Sequence, residues 1–399
     1  MNISTDKTST LLSIRISLVL LFLLIQSTVF SQDIHVLQKI DSLQSKGSGF
    51  YRKGLFPSKI RFENRRKIHE DNNIFFTALT IYTLQSLQNN FGTEVKILID
   101  SMADQARQSF PYYKNRQGGY TYNFYQTHPD RPFPSFRYLS KIKRFRLADD
   151  LDDASFLYMT QNTSDSLNAA VKKEMEVQTR STKKVMSTFQ RYRTSKAYRT
   201  WFAHRMKQDL DICVMSNVLL FVYEKGLPLD STDIRTIVLI KQLVNSEDIM
   251  RYGYIVSPHY QKSPVILYHL ARLISVAHNP ELNTLIPKIV TDLKSELKFT
   301  NNQMEQIILL SSLYRLHQPV DFKFTYGNIL KDMYSFYWFR ANPFSGSNVF
   351  FKRVMGSRGC FNFSYQSQAY YWSLVLELQQ LSGAKIQSSG DFLKTTMYQ

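Results

Sequence analysis

The sequence predicts an all-α protein, a single domain organised as an (α/α)n toroid of about six helix pairs. Apolar residues recur at helical spacing from residue 33 to the end of the chain, and strand-like alternation is almost absent. Acidic or amide residues stand at the start of three apolar segments, near residues 71, 150 and 209. No linker rich in Pro, Gly or Ser divides the chain. Helix pairs with long connections fit a ring of inner and outer helices.

Apolar spacing, together with Gly and Pro at segment ends, predicts the individual elements. The segment 209–225 is apolar nearly all round, which predicts an inner helix, whereas 164–180 carries charges on one side and predicts an outer one. Two short strands are expected at 54–62 and 119–124. The predicted helices are 33–46, 70–90, 94–108, 150–161, 164–180, 184–206, 209–225, 231–244, 263–277, 281–297, 301–316, 326–338 and 366–382.

The first 31 residues have the layout of a secretory signal peptide. Lys7 and Arg15 precede a short apolar run, and Ser31 is a small residue at the expected cleavage position. The run is shorter than the roughly 20 residues of a spanning helix, although a retained N-terminal anchor is the alternative. We therefore expect a mature domain at 32–399, located in the periplasm or secreted.

The chain is strongly basic, with a formal net charge of +18, which predicts an anionic partner or surface. Between Lys172 and Lys207 there are eleven Lys or Arg and only two Glu, interleaved with aromatic residues. Such a segment suits a solvated helix face, a peripheral contact with an acidic membrane surface, a diphosphate or a glycan. Export argues against nucleic acid. Cys213 and Cys360 are the only cysteines, too few for a disulfide scaffold; a single disulfide and a buried thiol both remain open.

Four aspartates crowd together at Asp149, Asp150, Asp152 and Asp153, where a basic run gives way to an apolar helix. Carboxylates so close together raise one another's proton affinity unless water, a cation or a shared proton relieves the repulsion. The cluster therefore predicts a general acid, a cation site or a set of helix caps.

The segment Asp150-Leu-Asp152-Asp153-Ala154 resembles the DxDD motif of class II terpene cyclases, within the terpenoid cyclase and protein prenyltransferase superfamily of α/α toroids. The resemblance implies that Asp152 is a protonated general acid acting on an isoprenoid, that Asp150 and Asp153 support it, and that no cofactor is needed. Ala154 and Ser155 depart from the usual Thr-Ala order of that motif. The glutamine–tryptophan repeat of the family has its nearest counterpart at 366–372.

Two metal sites are weaker alternatives. Asp149, Asp150 and Asp153 are similar to the magnesium-binding DDxxD box of class I terpene synthases, but the second metal motif of that family is not found. Asp211, Cys213 and a later His269 have the residue types and order of the zinc ligands in protein prenyltransferases. The expected site contains neither metal.

An aromatic connection follows the third predicted helix, and its rings suit either a cavity wall or simple packing of a long loop. We expect it to contact a small-molecule or lipid-like apolar substrate, either neutral or anionic. The predicted substrate contacts are Tyr120, Tyr122, Phe124, Arg137 and Tyr138. Tyr, His and Arg in this connection also suit an enzyme that acts on polysaccharides. A non-catalytic toroid that binds lipid or glycan is the remaining alternative.

Overall fold

The structure is a computed structural model. It describes residues 33–47, 49–63, 67–131, 146–181, 183–202, 207–322, 324, 327, 329–356 and 362–383. The predicted leader, Cys360, Arg137 and Tyr138 lie outside these residues.

The described chain is mostly helical, as predicted. Its helices are α1 (33–42), α2 (Phe75–Leu87), α3 (Thr93–Arg107), α4 (Leu151–Met159), α5 (Asp165–Val177), α6 (Ile212–Glu224), α7 (Ser231–Asn245), α8 (Asp248–Val256), α9 (Ser263–Ala277), α10 (Pro280–Asn283), α11 (Ile286–Phe299), α12 (Gln303–Arg315), α13 (Ile329–Ser335), α14 (Val349–Phe351) and α15 (Gln368–Ser382). A π-helical turn, Lys352–Gly356, continues α14.

Six of the helices form a closed cycle of contacts: α2 packs against α4, α4 against α6, α6 against α9, α9 against α12, α12 against α15, and α15 against α2. Their sequences are apolar on nearly all sides, so α6, for example, is buried without a break from Ile212 to Val222. The helices α3, α7 and α11 pack on the outside of α2, α6 and α9 respectively. Each of these three has only one buried face.

The prediction of an all-α fold needs correction because the chain also forms a four-stranded antiparallel sheet. The strands β1 (Ser58–Phe62), β2 (Lys67–Asp71), β3 (Phe339–Ala341) and β4 (Phe363–Gln366) lie in the order β2-β1-β4-β3. The start of β1 was expected too early, and β2, β3 and β4 were missed. Strands this short and partly charged carry little periodic signal, and it is pairing with distant strands that stabilises them. The strands β2 and β4 lead directly into α2 and α15.

The predicted helix 184–206 is wrong. Its described residues are irregular apart from one 3₁₀ turn at Gln190–Tyr192. The segment is rich in Ser and Thr, whose hydroxyls accept backbone N–H bonds and so compete with helix formation. Within the segment, the N–H of Ala197 donates to Ser195 Oγ at 3.1 Å. The strand predicted at 119–124 is likewise only an isolated bridge between Lys114 and Tyr122.

The irregular segment joins the starts of two neighbouring inner helices. The N–H of Leu151, the first residue of α4, donates to the carbonyl of Thr200 at 3.0 Å. The N–H of Thr200 in turn donates to the carbonyl of Asp209, just before α6, at 3.4 Å. Two of the acidic helix starts therefore lie side by side at one end of the cycle.

Candidate active site

Two of the four clustered aspartates hold the fold together. Asp150 is the N-cap of α4, and its Oδ1 accepts the backbone N–H of Asp153 at 2.7 Å. Asp149 accepts side-chain hydrogen bonds from Asn115 (2.6 Å), Asn123 (3.0 Å) and the hydroxyl of Thr121. Asp149 thereby ties the aromatic connection to the start of α4.

Asp152 lies on the first turn of α4 and faces α6 and the loop before α9. Its Oδ1 accepts a hydrogen bond from Asn217 Nδ2 on α6 at 2.9 Å, and its Oδ2 accepts one from the hydroxyl of Tyr260 at 2.7 Å. The residue is only 8% exposed. Burial raises the pKa of Asp152 to about 6, against the opposing effect of these two hydrogen bonds. Among the described residues, no cationic side chain forms a hydrogen bond or ion pair with its carboxylate.

Asp153 and Asp150 retain their protons more strongly. Asp153 is fully buried, and within the described part of the chain neither of its carboxylate oxygens has a hydrogen-bond partner. Burial first, and then the charges of Asp150 and Asp152, raise the pKa of Asp153 well above its usual range. Burial and the charge of Asp152 raise the pKa of Asp150 to about 8. The surroundings of the cluster therefore favour the protonated forms of Asp153 and Asp150 more strongly than that of Asp152.

The two aspartates at the start of α6, Asp209 and Asp211, have different partners from those on α4. Asp211 is the N-cap, with Oδ1 accepting the N–H of Cys213 at 2.9 Å and the hydroxyl of Ser257 at 2.7 Å. Asp209 lies 3.0 Å from Nε2 of His259. Burial alone would lower the pKa of His259, but the charge and hydrogen bond of Asp209, together with the charge of Asp211, outweigh it and raise that pKa to about 9. Asp209 is fully buried and His259 is partly buried in this ion pair.

A third acidic position, Asp71, closes β2 ahead of α2. Its carboxylate accepts hydrogen bonds from Asn73 Nδ2 at 2.6 Å and from the hydroxyl of Tyr125 at 2.9 Å. The Tyr125 hydroxyl also lies 3.2 Å from that of Tyr365. Burial raises the pKa of Asp71 to about 6. In the first turn of α2, the backbone N–H of Phe76 donates to Asn73 Oδ1 at 3.2 Å. Asn73, and not Asp71, therefore bonds the start of this helix.

The predicted substrate contacts separate in space. Phe124 is buried against Tyr125, Phe339 and Tyr365. Tyr122 is buried but packs edge-to-face on Tyr158. Tyr120 is 48% exposed. Of the described residues in that prediction, only Phe124 joins the aromatic cluster around Phe339, which also contacts Tyr260.

The zinc alternative finds no support among the described residues. Nδ1 of His269 donates to the carbonyl of Val265 at 2.7 Å, and Cys213 lies beside Ser257 instead. Burial and the charge of Arg272 lower the pKa of His269 well below its usual value. No group of three or more His, Cys, Asp or Glu side chains in the described ranges is arranged to hold a metal ion.

Sequence reasoning missed the residues that contact the central aspartate. Asn217 and Tyr260 bond Asp152, and the Nη2 of Arg272 donates to Asn217 Oδ1 at 2.7 Å. Arg272 and Asn217 each carry a recognisable signal, since each is a polar side chain within an otherwise buried, apolar helix. Tyr260 has no such signal because it belongs to the loop before α9.

No protein-family model matches the chain, and neither a curated protein nor a solved structure matches it. In the described part of the chain, no helix has both the length and the apolar character to cross a membrane.

Proposed function

We propose that the cycle of α2, α4, α6, α9, α12 and α15 is the inner ring of an α/α toroid of the terpenoid cyclase type. The order of contacts supports this, because each of these helices packs against two others and the cycle closes through α15 and α2. The outer positions of α3, α7 and α11 fit the second layer. The small sheet is an addition to that architecture.

We propose that the protein is an exported, class II-like cyclase in which Asp152 protonates an alkene of an isoprenoid. The observation that carries this proposal is the Asp152 carboxyl group, buried on an inner helix between Tyr260 and Asn217, with a pKa raised to about 6. A carboxyl group in such surroundings keeps its proton much nearer neutral pH than an exposed one does.

In the proposed step the π electrons of the alkene take the Asp152 proton. The π bond and the Asp152 O–H bond break, and a C–H bond forms at one alkene carbon. A carbocation at the other alkene carbon and the Asp152 carboxylate remain. Asp153 and Asp150 hold protons beside Asp152 and are the nearest source from which it can be reprotonated. Loss of a proton from the cyclised cation completes an isomerisation that needs no cofactor.

Aromatic side chains around the acid support a cationic intermediate. Tyr260 donates to Asp152 and packs against the ring of Phe339, with the ring centres 6.3 Å apart. Aromatic faces stabilise a cation through the ring quadrupole, and water is excluded from rings that are this deeply buried.

A second candidate is a non-catalytic exported toroid that binds lipid or glycan through its basic surface. It is favoured by the roles of Asp149, Asp150 and Asp211, which bond loops and helix starts and thus contribute to folding. The net charge of +18 suits an anionic ligand or a peripheral contact with an acidic membrane surface in either case.

The test is turnover by the purified protein and by Asp152→Asn, with squalene and geranylgeranyl diphosphate as substrates. We expect cyclised products from the wild type and a loss of roughly 10² to 10⁴-fold in rate for the variant, because the general acid is removed. The rate should also rise as pH falls from 8 and level off below about 6, where Asp152 is protonated.

The matched control is Asp165→Asn, which alters an exposed carboxylate in the first turn of α5 and should leave the rate unchanged. If the wild type yields no cyclised product between pH 5 and 8, the cyclase proposal fails and the binding protein becomes the better account.

A further inference from the structure

Arg272, on α9, contacts side chains from three other helices of the cycle, α2, α4 and α6. Its guanidinium carbon is 5.7 Å from the ring centre of Tyr82 on α2, 5.0 Å from that of Phe156 on α4, and 5.3 Å from that of Tyr268 on its own helix, α9. Its Nη2 bonds Asn217 on α6. Only 1% of the residue is exposed. The cation therefore sits in the interior of the cycle, surrounded by aromatic rings.

No carboxylate bonds this cation directly. Among the described residues, the Nε and Nη1 groups of Arg272 have no hydrogen-bond partner, and its one bond goes to the neutral amide of Asn217. The neighbouring Arg315 differs, because its Nε donates to Glu377 Oε1 at 2.7 Å. The hydroxyl of Tyr268 donates to the other oxygen of Glu377 at 2.7 Å. Glu377 is thus engaged elsewhere, and Arg272 is left with one uncompensated positive charge.

Further unpartnered polar groups lie next to Arg272. The ring of Tyr268 contacts both Arg272 and the indole of Trp338, and the indole lies 4.8 Å from the ring of Tyr370. Trp338 Nε1 and the Tyr370 hydroxyl are buried and have no partner in the described ranges. Buried donors are almost always bonded in folded proteins, so several such donors around one buried cation indicate a site for an acceptor group.

The chemistry of these groups selects the ligand. Guanidinium, indole N–H and hydroxyl groups all donate to oxygen, and the single uncompensated charge matches a monoanion. The walls are aromatic, which suits an apolar body. We propose that the interior of the cycle binds a carboxylate group borne by an apolar small molecule, with Arg272 as the anion-binding residue and Trp338 and Tyr370 as further donors.

His269 adds an acceptor to the same site. Because its Nδ1 donates to Val265, its unpartnered Nε2 carries the lone pair of a neutral imidazole. The imidazole lies 5.3 Å from the Trp338 ring. A hydroxyl group on the ligand would find its acceptor there.

This inference rests on the proposed function only in taking the ring interior as the place where substrate binds. Asn217 connects the Arg272 site to the proposed general acid, since its side-chain amide donates to Asp152 and accepts from Arg272. An apolar acid bound at Arg272 would therefore lie one side chain away from the proposed general acid.

The experiment is calorimetric titration of the purified full chain with three ligands of the same hydrocarbon body: geranylgeranoate, geranylgeraniol and geranylgeranyl diphosphate. We expect the carboxylate to bind tightest. Arg272→Met should weaken its binding on the order of a hundredfold, because the ligand's charge would then be buried without a partner. Trp338→Phe keeps the aromatic packing and should weaken it roughly tenfold, as expected for one hydrogen bond to a charged group.

Asp152→Asn separates this inference from the proposed function, because it should lower the turnover rate by roughly 10² to 10⁴-fold and retain carboxylate binding within about threefold. Equal affinity of wild type and Arg272→Met for geranylgeranoate would overturn the inference, as would equal affinity of the wild type for the acid and the alcohol. If Arg272→Met does not fold, the Trp338→Phe variant and the acid-to-alcohol ratio decide. Tighter binding of the diphosphate would replace the carboxylate with a more highly charged group.

Discussion

The starts of α4 and α6 both bury aspartates at the same end of the cycle, yet they treat the charge in opposite ways. Before α6, Asp209 faces the cation of His259 at 3.0 Å, and this partner lowers the pKa of Asp209 despite burial. On α4, the hydrogen-bond partners of Asp152 among the described residues are the neutral donors Asn217 and Tyr260, and its pKa is raised by burial. A buried carboxylate with a cationic partner stays ionised and stabilises the fold. A buried carboxyl group without such a partner has a raised pKa and keeps its proton to higher pH.

The largest effect on stability should come from breaking the ion pair at α6. Asp209→Asn removes the fully buried counter-ion of the partly buried His259, so we expect a loss of about 3 kcal/mol in the free energy of unfolding. Urea denaturation at pH 7 measures this. The exposed Asp165→Asn is the control and should stay within about 0.5 kcal/mol of wild type. A loss below about 1 kcal/mol would mean that His259 is neutral in the folded protein.

The contrast between the two helix starts explains which parts of the molecule the sequence could predict. The inner helix α6 follows from a local run of apolar residues, and the Asp-rich start of α4 is visible in five consecutive positions. The hydrogen-bond partners of Asp152 are not local, because Asn217 is 65 residues away and Tyr260 is 108 residues away. No periodicity links residues so distant, so whether an aspartate caps, pairs or stores a proton could not be predicted.

The same reasoning accounts for the errors in secondary structure. The strands β3 and β4 are three and four residues long and exist because they pair with each other and with β1. The apolar spacing of 184–206 looked helical, but the Ser195 hydroxyl accepts the backbone N–H of Ala197, and the Ser187 hydroxyl donates to the carbonyl of Gln208. Both errors arise where tertiary contacts or side-chain bonds outweigh the hydrophobic pattern.

A smaller effect is expected on the pH dependence of stability. The pKa of Asp150 is raised from 3.8 to about 8 in the folded protein, so the folded state binds more protons than the unfolded state between these values. The stabilisation is therefore complete below about pH 4 and is lost as pH rises through about 8. Asp150→Asn keeps an N-cap acceptor but removes the titrating group.

We expect the fall in unfolding free energy between pH 5 and 7 to become shallower in Asp150→Asn by up to about 1.4 kcal/mol per pH unit. Urea denaturation at several pH values measures the slope, and Asp165→Asn should retain the wild-type slope. An unchanged slope in Asp150→Asn would show that Asp150 is ionised across this range.

The smallest effect should come from Asp153→Asn, although Asp153 is the most deeply buried carboxyl group of the cluster. Its raised pKa keeps it protonated at neutral pH, so the amide replaces a neutral group of the same size. Neither of its oxygens loses a partner within the described residues. We expect a change below about 1 kcal/mol in unfolding free energy at pH 7.

The result for Asp153→Asn also tests the proposal that Asp153 holds a proton with which Asp152 can be reprotonated. If Asp153 were ionised, its removal would relieve an unpaired buried charge and stabilise the protein by several kcal/mol, on the order of the penalty for burying one ion. Such a gain would contradict the proposed reprotonation of Asp152. A near-neutral outcome beside the large loss in Asp209→Asn would instead establish that two adjacent helix starts, similar in sequence, bury their acids in different protonation states.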